Sequence, residues 1–132
     1  MIVVDTSAIM AALAGRPHIP ELTELLARDA DLHAPHLIDV EFLHALRRLV
    51  LTGQLSGDRA DDARTDFADM SIIRYPHVPL ADRIWALRDN VSAYDAAFVA
   101  LAEVLDVPLI TCDKHMARGT AHRAQVEVYT AR

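Results

Sequence analysis

Residues 2–7 read Ile2-Val3-Val4-Asp5-Thr6-Ser7, a β-branched run followed at once by polar residues. The branched side chains predict a short strand that is buried on both faces of a sheet. Any of Asp5, Thr6 and Ser7 could cap a helix over about residues 8–13, since all three residue types are favoured at N-caps. An acidic side chain therefore stands at the end of the first strand, where open parallel sheets bind their ligands.

The rest of the chain alternates in the same way between short apolar runs and helical patterns. Strands are predicted at residues 32–34, 71–75, 107–111 and 126–129, and helices at about 20–28, 36–52, 58–70, 80–89 and 93–105. This order predicts an α/β fold, a three-layer sandwich in which helices flank a central, mostly parallel sheet. At 132 residues, the chain is predicted to form a single domain over residues 1–132.

The composition excludes several classes of protein. With 52% hydrophobic and 24% charged residues, the chain is typical of a globular protein and not of a disordered one. No apolar run approaches the ~18 residues of a membrane span, and the start has no signal-peptide pattern. Cys112 is the only cysteine, so no internal disulfide can form and a reducing cytoplasm is the predicted location.

Two acidic residues follow predicted strands. Asp5 follows the first strand, and Asp113 comes just after the strand at residues 107–111. If these strands are neighbours, both carboxylates emerge side by side at one edge of the sheet. Taken alone, each of them could equally be an ordinary helix N-cap.

Two further acidic residues lie on predicted helices. Asp95 fits a capping box with Ser92, so it could simply complement the helix dipole. Glu41 shares the narrow polar face of the helix at 36–52 with His44 and Arg48, where it could interact with His44. The opposite face is predicted to be buried and consists of Ile38, Phe42, Leu43, Ala45, Leu46, Leu49 and Val50.

Clustered carboxylates repel one another unless a cation neutralises them. Mg²⁺ prefers such oxygen ligands, whereas the scattered histidines show no spacing typical of zinc. The net charge of −6 argues against binding of nucleic acid, which normally requires a basic surface. That objection weakens if these four acidic residues hold metal, because they carry four of the six net negative charges.

The stretch at residues 58–69 contains five aspartates and two arginines. Such a run is typical of a solvated helix face. The alternative is a protruding helical arm that binds a partner.

These motifs resemble those of PIN-domain ribonucleases, in particular the VapC toxins of bacterial toxin–antitoxin pairs. The resemblance rests on the opening strand with its Asp-Thr-Ser, on Glu41 in the third helix, on residues 92–102 around Asp95, and on the apolar strand that leads to Asp113. It covers the whole chain. Each motif alone is common, but the four in this order are specific.

The resemblance implies an acidic quartet that binds Mg²⁺, with Mn²⁺ as a substitute, and that consists of Asp5, Glu41, Asp95 and Asp113. Three polar residues would support the quartet, namely Thr6, Ser7 and Thr111. The implied activity is that of the toxin of a type II toxin–antitoxin system, an endoribonuclease that cuts tRNA or rRNA with a metal-activated water. The implied partners are a cognate VapB-like antitoxin and a second copy of the chain in a homodimer.

Other classes fit less well. A phosphoacceptor receiver domain would need an aspartate after a central strand near mid-chain, where residues 52–55 predict a helix end and a loop. A phosphatase of the haloacid dehalogenase type would need an acid two residues after Asp5, where Ser7 stands. The remaining alternative is a catalytically silent PIN-like module that only binds RNA or protein, since a sequence does not measure turnover.

Overall fold

The computed structural model describes residues 1–29, 31–117 and 122–131. Five strands lie in this part of the chain: β1 (Ile2–Val4), β2 (Leu32–Pro35), β3 (Ile72–Tyr75), β4 (Leu109–Thr111) and β5 (Val126–Val128). The α-helices are α1 (Thr6–Ala14), α2 (Pro20–Arg28), α3 (Leu37–Leu51), α4 (Gly57–Asp69), α5 (Ala81–Ala86) and α6 (Ala93–Leu105). Short 3₁₀ helices precede α5 at Val78–Leu80 and follow β4 at Lys114–Ala117.

The strands form one sheet in the order β3-β2-β1-β4-β5, and every pairing among them is parallel. Strand β1 lies in the middle, where Val3 pairs with His33 of β2 and Leu109 of β4. Val3 and Val4 are completely buried, as expected for a β-branched strand covered on both faces. The predicted α/β sandwich is confirmed, and its sheet is wholly parallel across the described strands.

Helices cover both faces of this sheet. On one side, α2, α3 and α4 pack against α1. On the other side, α6 packs against β1, β2 and β4, and α5 packs against α6. The carboxyl ends of β1 and β4 therefore open between two helical layers.

The short connection from β1 to α1 is fixed by Asp5. Its side chain accepts the backbone N–H of Ala8 at 3.0 Å, so Asp5 is the N-cap among the three candidates. Gly15 ends the helix with a φ of +64°, a left-handed conformation that glycine adopts without a steric penalty. The first acidic residue is thereby held at the end of a central strand.

Helix α3 is buried on a narrower stripe than its apolar pattern predicts. Ile38, Phe42 and Leu46 are in the core, whereas the side chains of Leu43 and Val50 are 50% and 37% exposed. The prediction that these last two residues are buried was wrong, because the face of α3 that packs into the core is the narrow line of Ile38, Phe42 and Leu46, at i, i+4 and i+8. The Phe42 and Phe67 rings stack there with centroids 4.2 Å apart.

Helix α4 carries the acidic stretch. It buries Ala60, Ala63 and Phe67 and packs against α1 and α3, while its aspartates face solvent. The stretch is thus the solvated face of a packed helix and not a protruding arm.

Helix α5 is shorter than predicted. The pattern at residues 80–89 resolves into a 3₁₀ turn, the six residues of α5 and then further turns up to Asn90. No helix in residues 1–29, 31–117 or 122–131 has both the length and the apolar character needed to cross a membrane.

Candidate active site

A cleft of about 600 Å³ opens at the carboxyl ends of β1 and β4. All four predicted acidic residues line it: Asp5, Glu41, Asp95 and Asp113. The rest of its wall comes from Thr6, Ser7, Met10, Leu37, Val40, His44, Ala45, Arg48, Tyr94 and Phe98. Strand ends and three helices therefore bring residues from the whole length of the sequence to one place.

Asp5 lies at the bottom of this cleft and is only 6% exposed. One carboxylate oxygen accepts the Ser7 hydroxyl at 2.7 Å and the Ala8 N–H at 3.0 Å, and the other accepts the Thr111 hydroxyl. Burial raises the pKa of Asp5 from its ordinary value of 3.8 to about 6, against the lowering effect of these hydrogen bonds. The nearby Asp95 carboxylate raises the pKa further.

Two predicted supporting residues, Ser7 and Thr111, connect the ends of β1 and β4 around Asp5. Their hydroxyl oxygens are 3.2 Å apart. The Ser7 oxygen accepts the backbone N–H of Cys112 at 2.8 Å, and the Thr111 oxygen accepts the N–H of Asp113 at 3.0 Å. These bonds restrict Asp5 to one orientation and fix the backbone of Asp113.

Glu41 reaches the cleft from α3. Its carboxylate accepts the hydroxyl of Thr6, the third supporting residue, at 2.7 Å. Within the described residues Glu41 forms no hydrogen bond or ion pair with His44, so the suggested surface pairing is absent. Burial raises the pKa of Glu41, the Thr6 hydroxyl lowers it, and the charge of Asp95 raises it again.

Asp95 stands in the first turn of α6, where Ser92 is the N-cap. The Ser92 hydroxyl accepts the backbone N–H of Asp95 at 3.2 Å, as the capping box predicts. Burial raises the pKa of Asp95, and so does the neighbouring Asp113, while Ser92 and His115 lower it. Asp95 is thus an acidic residue in the first turn of a helix, and its side chain also lines the cleft.

Asp113 is the outermost of the four. It is partly exposed, and its carboxylate accepts the backbone N–H of His115 at 2.9 Å as the 3₁₀ turn after β4 begins. The carboxylates of Asp5 and Asp113 thus leave neighbouring parallel strands at the same edge, as their positions in the sequence predict. Asp113 also fits the N-cap alternative, because its carboxylate accepts the N–H two residues later.

The donor set of this cleft fits a hard divalent cation. None of the four carboxylates has an ion pair with an Arg, Lys or His side chain in the described chain, and repulsion from Asp95 raises the pKa of both Asp5 and Glu41. No three Asp, Glu, His or Cys side chains converge tightly enough in those residues to form a closed metal cage. Mg²⁺ needs no such cage, since it uses one or two carboxylates and keeps several waters.

Cysteine chemistry is not supported at this site. Burial raises the pKa of the Cys112 thiol to about 11, and the neighbouring Asp5 carboxylate raises it as well. The reactive thiolate form is therefore scarce at neutral pH.

Three cleft residues that carry polar or charged groups were not among the predicted site residues: His44, Arg48 and Tyr94. Helical spacing placed the first two on the same polar face of α3 as Glu41, three and seven residues after it, but they were not assigned to the site. Tyr94 directly precedes Asp95, and no spacing rule marks it.

Comparisons with known proteins show which family and which solved structures this chain resembles. The PIN domain family matches residues 2–121 of the chain. Ribonuclease VapC1 of Mycobacterium tuberculosis is 44% identical over 127 residues, which cover 96% of each chain.

Two solved structures extend the comparison. The structure of PAE2754 from Pyrobaculum aerophilum superposes with a TM-score of 0.72 at 19% identity, covering 96% of this chain and 83% of that one. VapBC-5 of M. tuberculosis, a member of the VapBC family of toxin–antitoxin systems, gives a TM-score of 0.52 at 26% identity, covering 98% and 97%.

Proposed function

The chain belongs to the PIN-domain family, with relatives named ribonuclease VapC, and from this premise we propose that it is a metal-dependent endoribonuclease, the toxin of a type II toxin–antitoxin pair. One observation carries the proposal. Four carboxylates from β1, α3, α6 and the end of β4 line a single cleft, and within the described residues no Arg, Lys or His side chain forms an ion pair with any of them at 4 Å or less.

Asp5, Glu41, Asp95 and Asp113 would hold Mg²⁺, or Mn²⁺ in its place. When bound, such a cation compensates charge on a phosphodiester and acidifies water. The protein's own part is to keep these side chains in place. Ser7 and Thr111 hold Asp5 through both of its oxygens, and Thr6 holds Glu41, so the carboxylates need little rearrangement when substrate enters.

RNA is the proposed substrate because the VapC1 relative is named a ribonuclease. Within that class we propose tRNA or rRNA. The cleft is open, and Arg48 offers a guanidinium that pairs with no acidic side chain of the described chain and could contact a phosphate.

The proposed partners are a VapB-like antitoxin and a second copy of this chain. The likeness to VapBC-5, a member of a toxin–antitoxin family, supports the antitoxin. The cytoplasm is the proposed location, since the RNA substrates are there and a single free cysteine suits a reducing compartment.

The direct test is cleavage of total tRNA and rRNA by the purified protein with Mg²⁺ or Mn²⁺. We expect cleavage that EDTA abolishes and that Asp95→Asn lowers by roughly 100-fold or more. Asp62→Asn is the matched control, because Asp62 is exposed on α4 and takes no part in the cleft. Equal cleavage by the Asp95→Asn protein would refute the site assignment.

The toxin role has its own test. Expression of the protein should arrest growth, and co-expression of a small protein encoded beside it should relieve the arrest. If no RNA is cut although metal binds, the silent RNA- or protein-binding module becomes the better description.

A further inference from the structure

Tyr94 is an aromatic side chain on the wall of the cleft that the structure leaves largely uncovered. Its side chain is 62% exposed, although it lies next to Asp95 in the first turn of α6 and lines the same cleft. Its hydroxyl has no hydrogen-bond partner within residues 1–29, 31–117 and 122–131. Neither core packing nor a polar contact of the described structure explains why a tyrosine stands there.

Several other aromatic side chains have partners in the fold. Phe42 and Phe67 stack in the core, Phe98 is 1% exposed at the back of the cleft, and Tyr75 contacts His33. Trp85 is as exposed as Tyr94, but the Arg88 guanidinium lies 4.7 Å from its ring centre and it does not line the cleft. Tyr94 therefore combines three properties: an exposed ring, no partner in the described structure, and a position beside the carboxylates.

The residues across the cleft add a complementary feature. Arg48 and His44 project from α3, in the other helical layer, and line the same cleft. Neither side chain forms a hydrogen bond or ion pair within the described part of the chain, even though Glu41 lies on the same helix face. The Tyr94 ring thus lies on one wall of the cleft and the Arg48 guanidinium on the other. A nucleotide has a flat base that suits the ring and a phosphate that suits the guanidinium.

We propose that Tyr94 is a specificity-determining residue that stacks on one unpaired base of the RNA beside the scissile phosphate, with Arg48 contacting a neighbouring phosphate. The inference rests on the proposed ribonuclease function and adds to it the residue that would hold an unpaired base. A base paired within a duplex keeps both faces covered by its neighbours, so stacking on Tyr94 requires a strand whose bases can turn outward. Every base has a π-face, and the ring therefore selects single strands before it selects sequence.

The test uses a short fluorescein-labelled RNA of mixed sequence as a single strand, the same RNA as a blunt duplex, and a series of single strands each with one abasic position. Binding is measured by anisotropy with Mg²⁺ present, in proteins that also carry Asp5→Asn to prevent cleavage. Tyr94→Ala should weaken single-strand binding by roughly 5- to 150-fold, the range that loss of one stacked base produces. Tyr94→Phe should restore it, because phenylalanine has the same stacking face.

The abasic series makes the test specific to stacking. One abasic position should weaken binding by the protein with Tyr94 about as much as Tyr94→Ala does, and it should cause no further loss in the Tyr94→Ala protein. Trp85→Ala is the matched control, an exposed aromatic outside the cleft, and should bind every RNA like the parent. Unchanged melting curves would show that all variants are folded.

The outcomes separate this inference from the function on which it rests. If the wild-type protein cuts RNA but Tyr94→Ala binds the single strand as tightly as its parent, the inference is wrong and the function stands. The inference is also wrong if every abasic penalty persists in the Tyr94→Ala protein. The same holds if Tyr94→Ala weakens only binding of the antitoxin, because Tyr94 would then belong to a protein interface. If no variant binds any RNA and the wild type cuts none, both proposals fail.

Discussion

At the scale of single residues, Asp5 is a carboxylate whose ionised form is destabilised by its burial in the cleft. Its carboxylate is almost completely buried and receives three hydrogen bonds, yet its pKa is raised to about 6 because burial outweighs them. A carboxyl group with a raised pKa in the folded state favours folding when it is protonated. That contribution is complete below the unfolded pKa near 3.8 and is lost as the pH rises through about 6.

A neutral isostere should therefore stabilise the protein when no metal is bound. In EDTA at about pH 8, we expect Asp5→Asn to raise the free energy of unfolding by about 2–3 kcal/mol, since each pKa unit corresponds to about 1.4 kcal/mol. The gain should shrink as the pH falls through about 6 and disappear below the unfolded pKa of 3.8, where Asp5 is protonated in both states. Thermal melts of the wild type and of Asp62→Asn provide the comparison. A midpoint for Asp5→Asn at or below that of the wild type at the higher pH would contradict the prediction.

At the scale of elements, two helices begin in the same way and only one of them leads into the cleft. Ser92 caps α6 by accepting the N–H of Asp95, and Ser56 caps α4 by accepting the N–H of Arg59, each at 3.2 Å. Both serines are exposed, so the two caps are comparable in strength. They differ in what lies three residues later, which is a cleft carboxylate in α6 and a surface arginine in α4.

This pair separates stability from activity. Ser92→Ala and Ser56→Ala should each lower the free energy of unfolding by about 1 kcal/mol, the usual cost of losing an N-cap. Only Ser92→Ala should also lower RNA cleavage, since only its loss frees the turn that carries Asp95. Denaturant melts and cleavage rates measure the two effects. Equal cleavage by both variants would show that the cap does not position Asp95.

Local patterns were sufficient to predict most of these elements. The bounds of β1, α2 and α6 follow directly from a β-branched run, from Pro20 at a helix start and from the Ser92 capping box. The shortened α5 and the exposure of Leu43 and Val50 were missed, because each depends on which neighbour happens to cover the helix.

The candidate site was predictable to a different degree for each residue. Strand ends placed Asp5 and Asp113 together on physical grounds, whereas Glu41 and Asp95 joined them only through the family resemblance. The Thr6–Glu41 bond spans 35 residues and the Ser7–Thr111 contact spans 104, and nothing local in the sequence specifies either one. The role of the four carboxylates as metal ligands stays a prediction.

At the scale of the whole molecule, the cleft concentrates negative charge within a chain whose net charge is already −6. Helices α3 and α6 bring Glu41 and Asp95 to this point from opposite sides of the sheet, so repulsion among the carboxylates acts between the two helical layers. A ligand that binds only the folded state and relieves this repulsion should stabilise the protein by mass action.

We therefore expect Mg²⁺ or Mn²⁺ to raise the melting midpoint. At a metal concentration one hundred times the Kd, the gain should be about 2.7 kcal/mol. Asp95→Asn should lose most of this shift, because Asp95 interacts electrostatically with Asp5, Glu41 and Asp113. Differential scanning fluorimetry measures the shift, and the Asp62→Asn protein should keep all of it. An equal shift in the Asp95→Asn protein would place the metal elsewhere.

The central position of β1 has a consequence for the moment at which the cleft can form during synthesis. One of the three hydrogen bonds that hold Asp5 comes from Thr111, a residue 106 positions later, and β1 cannot be enclosed until β4 has been made. During synthesis on the ribosome, roughly 5–20 s pass between these two residues at the usual rate of translation. The cleft with its four carboxylates is therefore completed only near the end of synthesis, when Asp113 has been added.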